Sequence, residues 1–401
     1  QSLTNMGRLE VLDLTQGLEL RATSWVGRVV LGDLTITIQP KITGAPMLHL
    51  LRYSYGLGKL KLFQQTSFVA SSGSFQDLIC QELADQVNGL MAQGLHRDYQ
   101  RTAEDLASPR GRPNITEYVN RVGTATATLP YIHYPRTEAT LLNRVLLAGL
   151  HLASGVCNDR ELRGRIRRLA HSLDVRMCSV RLDSSVLRQA EDAVDRRIAT
   201  YRPALTLIGL LLNSLGMSLG NRHEATFPMP GFLFDMNRFF QALVSRFLHD
   251  YLQGFTVRDE YQLKGVFTYA PDQNPNHRRS PTPRPDFVVL DGQQVAAVLD
   301  AKYRDLWENN LPEYMLYQLA VYALLQDSPR HRSVILYPTI DATAVDQVIT
   351  LQEPIRGSEK AQVILRPVNL LALEQLLRLP SDYRTQTRRS EFAKHLAFAT
   401  E

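Results

Sequence analysis

Three ionisable residues interrupt two apolar runs. Phe287-Val288-Val289-Leu290 and Val295-Ala296-Ala297-Val298-Leu299 flank Asp291-Gly292, and Asp286, Asp300 and Lys302 stand at their outer ends. The runs read as two antiparallel strands in a covered sheet, joined at an Asp-Gly turn. Asp300 and Lys302 are two apart, so their side chains leave one face of the strand. Charges at the ends of buried strands cost free energy unless something compensates them. Two carboxylates and an ammonium around a divalent cation would be such compensation; a plain strand-end ion pair is the other reading. Lys302 is singular in a second way. The chain has only seven lysines among 45 basic residues, and only Lys302 follows an acidic residue by two positions. Lysine can give up a proton where arginine cannot readily do so.

Parity sets a condition on the cation reading. With Asp291-Gly292 as a tight two-residue turn, Leu290 would face Gln293 and Asp286 would face Ala297. Asp286 and Asp300 would then point to opposite faces. A three-residue loop, a five-residue loop or a bulge restores a common face.

The elements around this segment read as α/β with several domains. At 401 residues the length fits two or three domains. Residues 1–110 are expected to form a small β-rich and helical partner-binding domain. Residues 111–222 read as a mostly helical linking domain, and 223–401 as a domain with a mixed sheet flanked by helices. In the first segment, short runs at 9–11, 18–20, 29–31 and 34–38 are separated by Gly17, Gly27 and Gly32-Asp33. Pro40 ends the last run, and Lys41 after it is taken as a partner-binding residue. So short a β unit must lean on something else. Helices are expected over 46–62 and 75–93, with a Ser-rich break at 71–74. In the second segment, helices are expected over 138–152, 159–171, 184–199 and 203–217. The second of these carries Arg160, Arg163, Arg165, Arg167 and Arg168, which read as a solvated face or a phosphate track.

In the last segment Asn221–Gly231 reads as a loop with an isolated His223-Glu224 pair. A helix over 235–252, a strand over 261–269, and a Pro-rich loop with His277, Arg278, Arg279 and Arg284 lead into Asp286. These arginines, with Tyr303, are the expected nucleic-acid contacts. A helix over 311–325, strands at 333–337 and 362–365 and a helix over 369–379 follow. The tail with Arg384, Arg388 and Arg389 reads as basic and mobile.

Composition narrows the classes. A net charge of +5 permits a nucleic-acid partner without demanding one. No run approaches a membrane span, and no signal peptide is evident. The first residue is not Met, so residues upstream are expected. Three unpaired cysteines suit a reduced, cytoplasmic protein. Gly56-Leu57-Gly58-Lys59 lacks the spacing of a phosphate loop, and no Walker motif is present.

The pattern Pro-Asp, a strand, then Asp-x-Lys resembles the PD-(D/E)xK nuclease core. The resemblance implies Asp286 and Asp300 as Mg²⁺ ligands, with the Ala301 carbonyl as a third, and Lys302 as the group that orients or activates water. Gln318 and Tyr322, one helix later, resemble the extra motif of the RecB-like branch, which adds both to the catalytic set. Where this core often has a helix-borne Glu, the comparable residue is Gln241.

Over most of its length the chain resembles the McrC family. Residues 32–42, Gly111-Arg112, Glu138 with Asn143-Arg144, 298–303, 316–319 and 335–338 carry the likeness. It implies a cytoplasmic DNA endonuclease subunit of a modification-dependent restriction complex. Its partner would be a McrB-like AAA+ GTPase ring, which the subunit stimulates and which recognises modified cytosine. A non-cleaving adaptor of such a ring and a stand-alone RecB-like repair nuclease are the alternatives.

Overall fold

The computed structural model describes residues 9–15, 17–31, 34–57, 74–120, 127–215, 231–270, 272–325 and 331–398. Gly32-Asp33, Gly58-Lys59, Ser71-Ser72-Gly73 and His223-Glu224 lie outside them, as does most of the 221–231 stretch read as a loop. The chain divides into two compact units, Gln1–Phe75 with Met229–Glu401, and Gln76–Pro228. The expected cuts after 110 and 222 fall elsewhere: the N-terminal strands belong with the C-terminal sheet.

Along the chain, β1 (Leu9–Leu14) and β2 (Gly17–Ala22) form one hairpin, and β3 (Trp25–Leu31) and β4 (Leu34–Ile38) another; helix α1 (Gly44–Ser54) follows. Helix α2 (Phe75–Gln93) opens the second unit. It continues with β5 (Asp98–Tyr99), β6 (Thr102–Leu106), β7 (Arg112–Pro113), α3 (Ile115–Asn120), β8 (Leu129–His133) and β9 (Arg136–Thr137). Helices α4 (Leu141–Val156), α5 (Arg160–Asp174), α6 (Ser184–Asp192) and α7 (Arg202–Leu215) complete it. The chain returns through β10 (Gly231–Asp235), α8 (Met236–Tyr251), β11 (Thr256–Asp259), β12 (Phe287–Asp291) and β13 (Gln294–Ala301). Last come α9 (Glu313–Leu324), β14 (Arg332–Thr339), β15 (Gln347–Gln352), β16 (Glu359–Asn369), α10 (Leu370–Arg378) and α11 (Tyr383–Ala397).

In the second unit, side-chain oxygens start the helices. Thr140, Asp159 and Asp183 accept backbone N–H bonds at the heads of α4, α5 and α6. Asn143 is wholly buried and fully used: it donates to the His96 and Glu138 carbonyls and accepts from the Tyr201 hydroxyl. Of the five arginines of α5, Arg163 donates to the Cys157 carbonyl and Arg165 to Asp85, so two serve the fold.

In the first unit, six strands lie in the order β11-β12-β13-β14-β16-β15. The β13-β14-β16 pairs are parallel and the others antiparallel, the mixed sheet expected from the order of elements. Alternation sorts the side chains. Val288, Val298, Ile335, Val363 and Leu365 share a buried cluster with Leu319 and Tyr322 of α9. Helix α8 buries Phe239, Phe240, Leu243 and Phe247 completely, and its side-chain stripe repeats every three to four residues.

The small N-terminal sheet is completed from far along the chain. Strand β10 pairs with β3, giving the order β10-β3-β4. Gly27, expected in a turn, lies inside β3 with φ +137°, and a Cβ there would meet the Phe232 carbonyl oxygen at 2.0 Å. Gly27→Ala is therefore expected to lose about 2–4 kcal/mol through strain and a broken β3–β10 ladder. A fall in melting temperature without loss of the β1–β2 hairpin signals in NMR would show it.

Three further expectations are corrected. Tyr261–Tyr269 is not a strand; the strand is β11, and Glu260 at φ +48° and Gly265 at φ +79° turn the chain after it. The helix expected over 46–62 ends at Ser54. The basic tail is the ordered helix α11, because Arg389 is buried and donates to the Leu376, Leu377 and Leu379 carbonyls.

Candidate active site

The two aspartates meet because of a bulge. Phe287 pairs with Leu299, Val288 with Val298 and Val289 with Ala297, but Leu290 pairs with Val295 and Asp291 with Gln294. The turn is thus Gly292-Gln293, with Gly292 at φ +59°, and Ala296 is the extra residue. An unbulged two-residue turn would put Asp286 and Asp300 on opposite faces. The shift by one places them opposite each other across β12 and β13, on the face that α9 covers.

The geometry at that sheet end is close. Lys302 Nζ lies 3.1 Å from Asp300 Oδ2 and 3.2 Å from Asp286 Oδ2. The Ala301 N–H donates to Asp286 Oδ2 at 2.8 Å, which fixes that carboxylate. Glu260 N–H donates to the Asp286 carbonyl at 2.8 Å and Lys302 N–H to the Leu336 carbonyl at 3.1 Å. Burial and then the nearby Asp286 charge push the Asp300 carboxyl up to about 6. Burial opposes the charge on Lys302, but attraction to Asp300 and Asp286 outweighs it, and the ammonium is held above its ordinary value. Two carboxylates sharing one cation remain short of positive charge.

The residues suit a hard divalent cation. Both carboxylates converge on one point, and the pair's unmet negative charge is what a dication would neutralise. Among the described residues no three His, Cys, Asp or Glu side chains cluster as a metal site. Any cation here would complete its shell with backbone carbonyl oxygen, such as that of Ala301, and water, as Mg²⁺ commonly does.

Gln318 Nε2 donates to the Tyr322 hydroxyl at 2.7 Å. Tyr322 is buried beside Val288 and Val298. Burial raises its hydroxyl, and the Asp300 and Asp286 charges raise it further. Arg284 lies outside: it is tied to the Glu260 carboxylate and carbonyl. Arg278 and Arg279 are exposed, with the Arg278 backbone held by Asn274. Tyr303 faces inward, against expectation. Its ring stands edge-on to Phe240 at 6.3 Å, and its hydroxyl accepts from Lys41 N–H at 3.3 Å. Burial pushes that hydroxyl up to about 12. Odd positions of β13 face α8, so Tyr303 could not share the face of Lys302. Lys41 itself donates from Nζ to Asp305 Oδ2 at 2.8 Å, an internal ion pair.

Sequence reasoning missed Asn237, one turn before Gln241 on the same helix. Its Oδ1 accepts from Tyr303 N–H at 2.7 Å, directly after Lys302. The signal was faint: an Asn two positions after the capping Asp235.

A family model described as McrBC 5-methylcytosine restriction system component matches residues 20–338. The chain belongs to that family. No curated protein matches it. Among solved structures it is similar to a chain in a half-complex from a tetradecameric assembly of Thermococcus gammatolerans McrB AAA+ hexamers with bound McrC. That likeness has a TM-score of 0.63 at 18% identity and covers 98% of this chain and 86% of that one, so the fold is shared over nearly the whole length. A chain in a cryo-EM structure of the Thermococcus gammatolerans McrBC complex matches with a TM-score of 0.45 at 17% identity, over 60% of this chain and 69% of that one. The family's description is of a restriction-system component. Among the described residues no helix is long and apolar enough to cross a membrane.

Proposed function

We propose that this chain is the Mg²⁺-dependent endonuclease subunit of a modification-dependent restriction complex. The observation that carries the reading is the convergence of Asp286 and Asp300 on Lys302 at 3.1–3.2 Å, made possible by the bulge at Ala296. Asp286, Asp300 and the Ala301 carbonyl would hold Mg²⁺, which when bound supplies positive charge to a phosphate oxygen and makes water a better nucleophile. Lys302 carries its proton at neutral pH, so it orients the attacking water and offsets charge on the phosphate. Tyr322 accepts from Gln318, which leaves its own O–H free to donate toward that charge. Arg278 and Arg279 extend the positive surface ahead of Asp286 for the DNA backbone.

The partner is an AAA+ GTPase ring, which recognises the modified cytosine and whose GTP hydrolysis this chain stimulates. The McrB hexamers with bound McrC to which the fold is similar support that pairing. The β1–β2 hairpin, with Val11, Leu14 and Leu20 exposed, is the element offered to it.

The test combines this protein, the AAA+ GTPase, methylated plasmid, Mg²⁺ and GTP, then omits each in turn. Cutting is expected only from the full mixture. With Asp300→Ala cutting is lost and GTP hydrolysis continues. Loss of both together would contradict the division of roles, and cutting by Asp300→Ala would remove the site assignment.

A further inference from the structure

A hydrogen-bonded track joins the N-terminal sheet to the strand end that carries Lys302. Met236 N–H donates to the Ser24 carbonyl at 2.9 Å, and Asn237 Nδ2 donates to Ser24 Oγ at 2.8 Å. Asn237 Oδ1 then accepts from Tyr303 N–H at 2.7 Å. A second strut arrives from the end of β4: Lys41 N–H donates to the Tyr303 hydroxyl, and Lys41 Nζ donates to the buried Asp305. The last sheet bond of the catalytic strand is Lys302 N–H to the Leu336 carbonyl. Beyond it, the Asn237 side chain of α8 holds the Tyr303 backbone, and Lys41 holds the Tyr303 and Asp305 side chains.

Lys302 must reach two carboxylates at once from the final residue before that held segment. A small rotation of the 302–303 peptide would carry its ammonium off one of them. We propose that Asn237 and Lys41 are positioning residues for Lys302, so that the state of the N-terminal sheet sets how well Asp286, Asp300 and Lys302 are assembled. This rests on the nuclease reading and deepens it: a protein partner engaging the N-terminal hairpins acts on the same bonded body that aims the lysine. Groups that orient the immediate ligands of a metal site commonly matter to activity without touching substrate.

The experiment uses the full chain with the AAA+ GTPase, methylated plasmid, Mg²⁺ and GTP, and measures kcat and the KM for DNA separately. Asn237→Ala and Lys41→Met are expected to lower kcat by about ten- to hundred-fold. The KM for DNA and the stimulated GTPase rate should stay within about twofold, since neither site is touched. Asn237→Asp keeps the acceptor for Tyr303 N–H, and the Ser24 hydroxyl can donate to its carboxylate, so it should retain more activity than Asn237→Ala. Ser24→Ala removes the Ser24 bond alone and should fall between wild type and Asn237→Ala.

Wild-type kcat in Asn237→Ala would overturn the proposal. So would a fall in kcat matched by equal falls in GTPase stimulation and melting temperature. Should Asn237→Ala not fold, Lys41→Met and Ser24→Ala decide, and wild-type rates in both would overturn it. Wild-type protein that does not cut removes the nuclease reading and this inference with it. Wild-type cutting with unaltered variants removes the inference alone.

Discussion

Asp300→Asn is expected to melt higher than the wild type in the absence of Mg²⁺ at pH 7.5, while cleavage falls by roughly a thousand-fold. The carboxyl of Asp300 sits at about 6 in the folded protein against 3.8 for the free group. Above pH 6 the folded state must hold a charge that burial and Asp286 disfavour, and the unfolded chain holds it freely. Folding is therefore penalised there, and the penalty shrinks as pH falls through 6 and the buried carboxyl takes up its proton. Asparagine removes the charge and leaves Lys302 with Asp286 as its partner. The gain at pH 7.5 is about 1–2 kcal/mol, or roughly 2–6 °C in melting temperature. The difference between variant and wild type should fall to about half by pH 5 and vanish only below about pH 4, where the unfolded carboxyl is protonated as well. Mg²⁺ should raise the wild-type melting temperature and leave the variant almost unmoved, since binding to the folded state alone stabilises it. A variant that melts lower at every pH would mean that the carboxylates are an ordinary stabilising ion pair.

Arg366→Met is expected to cost about 3–5 kcal/mol and to release α11. Among the described residues Arg366 is the largest side chain with no exposure at all. It lies in β16, among apolar neighbours, and every nitrogen is used. Nε bonds to Asp346 at 2.9 and 3.1 Å, and one terminal nitrogen bonds to the same carboxylate at 2.6 Å. The other terminal nitrogen donates to the His395, Leu396 and Phe398 carbonyls, which close the end of α11. Methionine fills the space but leaves a carboxylate and helix-end carbonyls without their donor. Arg366→Lys should not rescue, because an ammonium cannot serve a carboxylate fork and three carbonyls together. Hydrogen exchange over 383–398, rising well before global unfolding, would show the release. Protection unchanged from wild type would contradict this account.

Much of the site could be read from residue types and spacing. Asp286, Asp300 and Lys302 were legible because charges in an apolar strand are costly and so conspicuous. Gln318 and Tyr322 were legible because four residues on a helix make one neighbourhood. The helix starts near 159, 235 and 369 were legible for the same local reason, and Asp159, Asp235 and Asn369 there each bond a backbone N–H within the first turn. Tyr303 and the tail were misread. The side of a strand end, and the carbonyls within reach of Arg389, depend on elements remote in sequence.

By itself, then, the sequence determined which side chains could meet at a sheet end and the order of strands and helices that would carry them. These follow from period and local bonding, which operate within a few residues. Only the tertiary structure decided that Asp286 and Asp300 share a face, since one bulged residue, Ala296, reverses the parity of a whole strand. It alone joined β10 to β3, buried Arg366 against α11, brought Ser24 to Asn237, and brought Lys41 and Asn237 to the residues after Lys302. Those contacts span tens to hundreds of residues, and no local pattern encodes which distant partner will satisfy a buried donor.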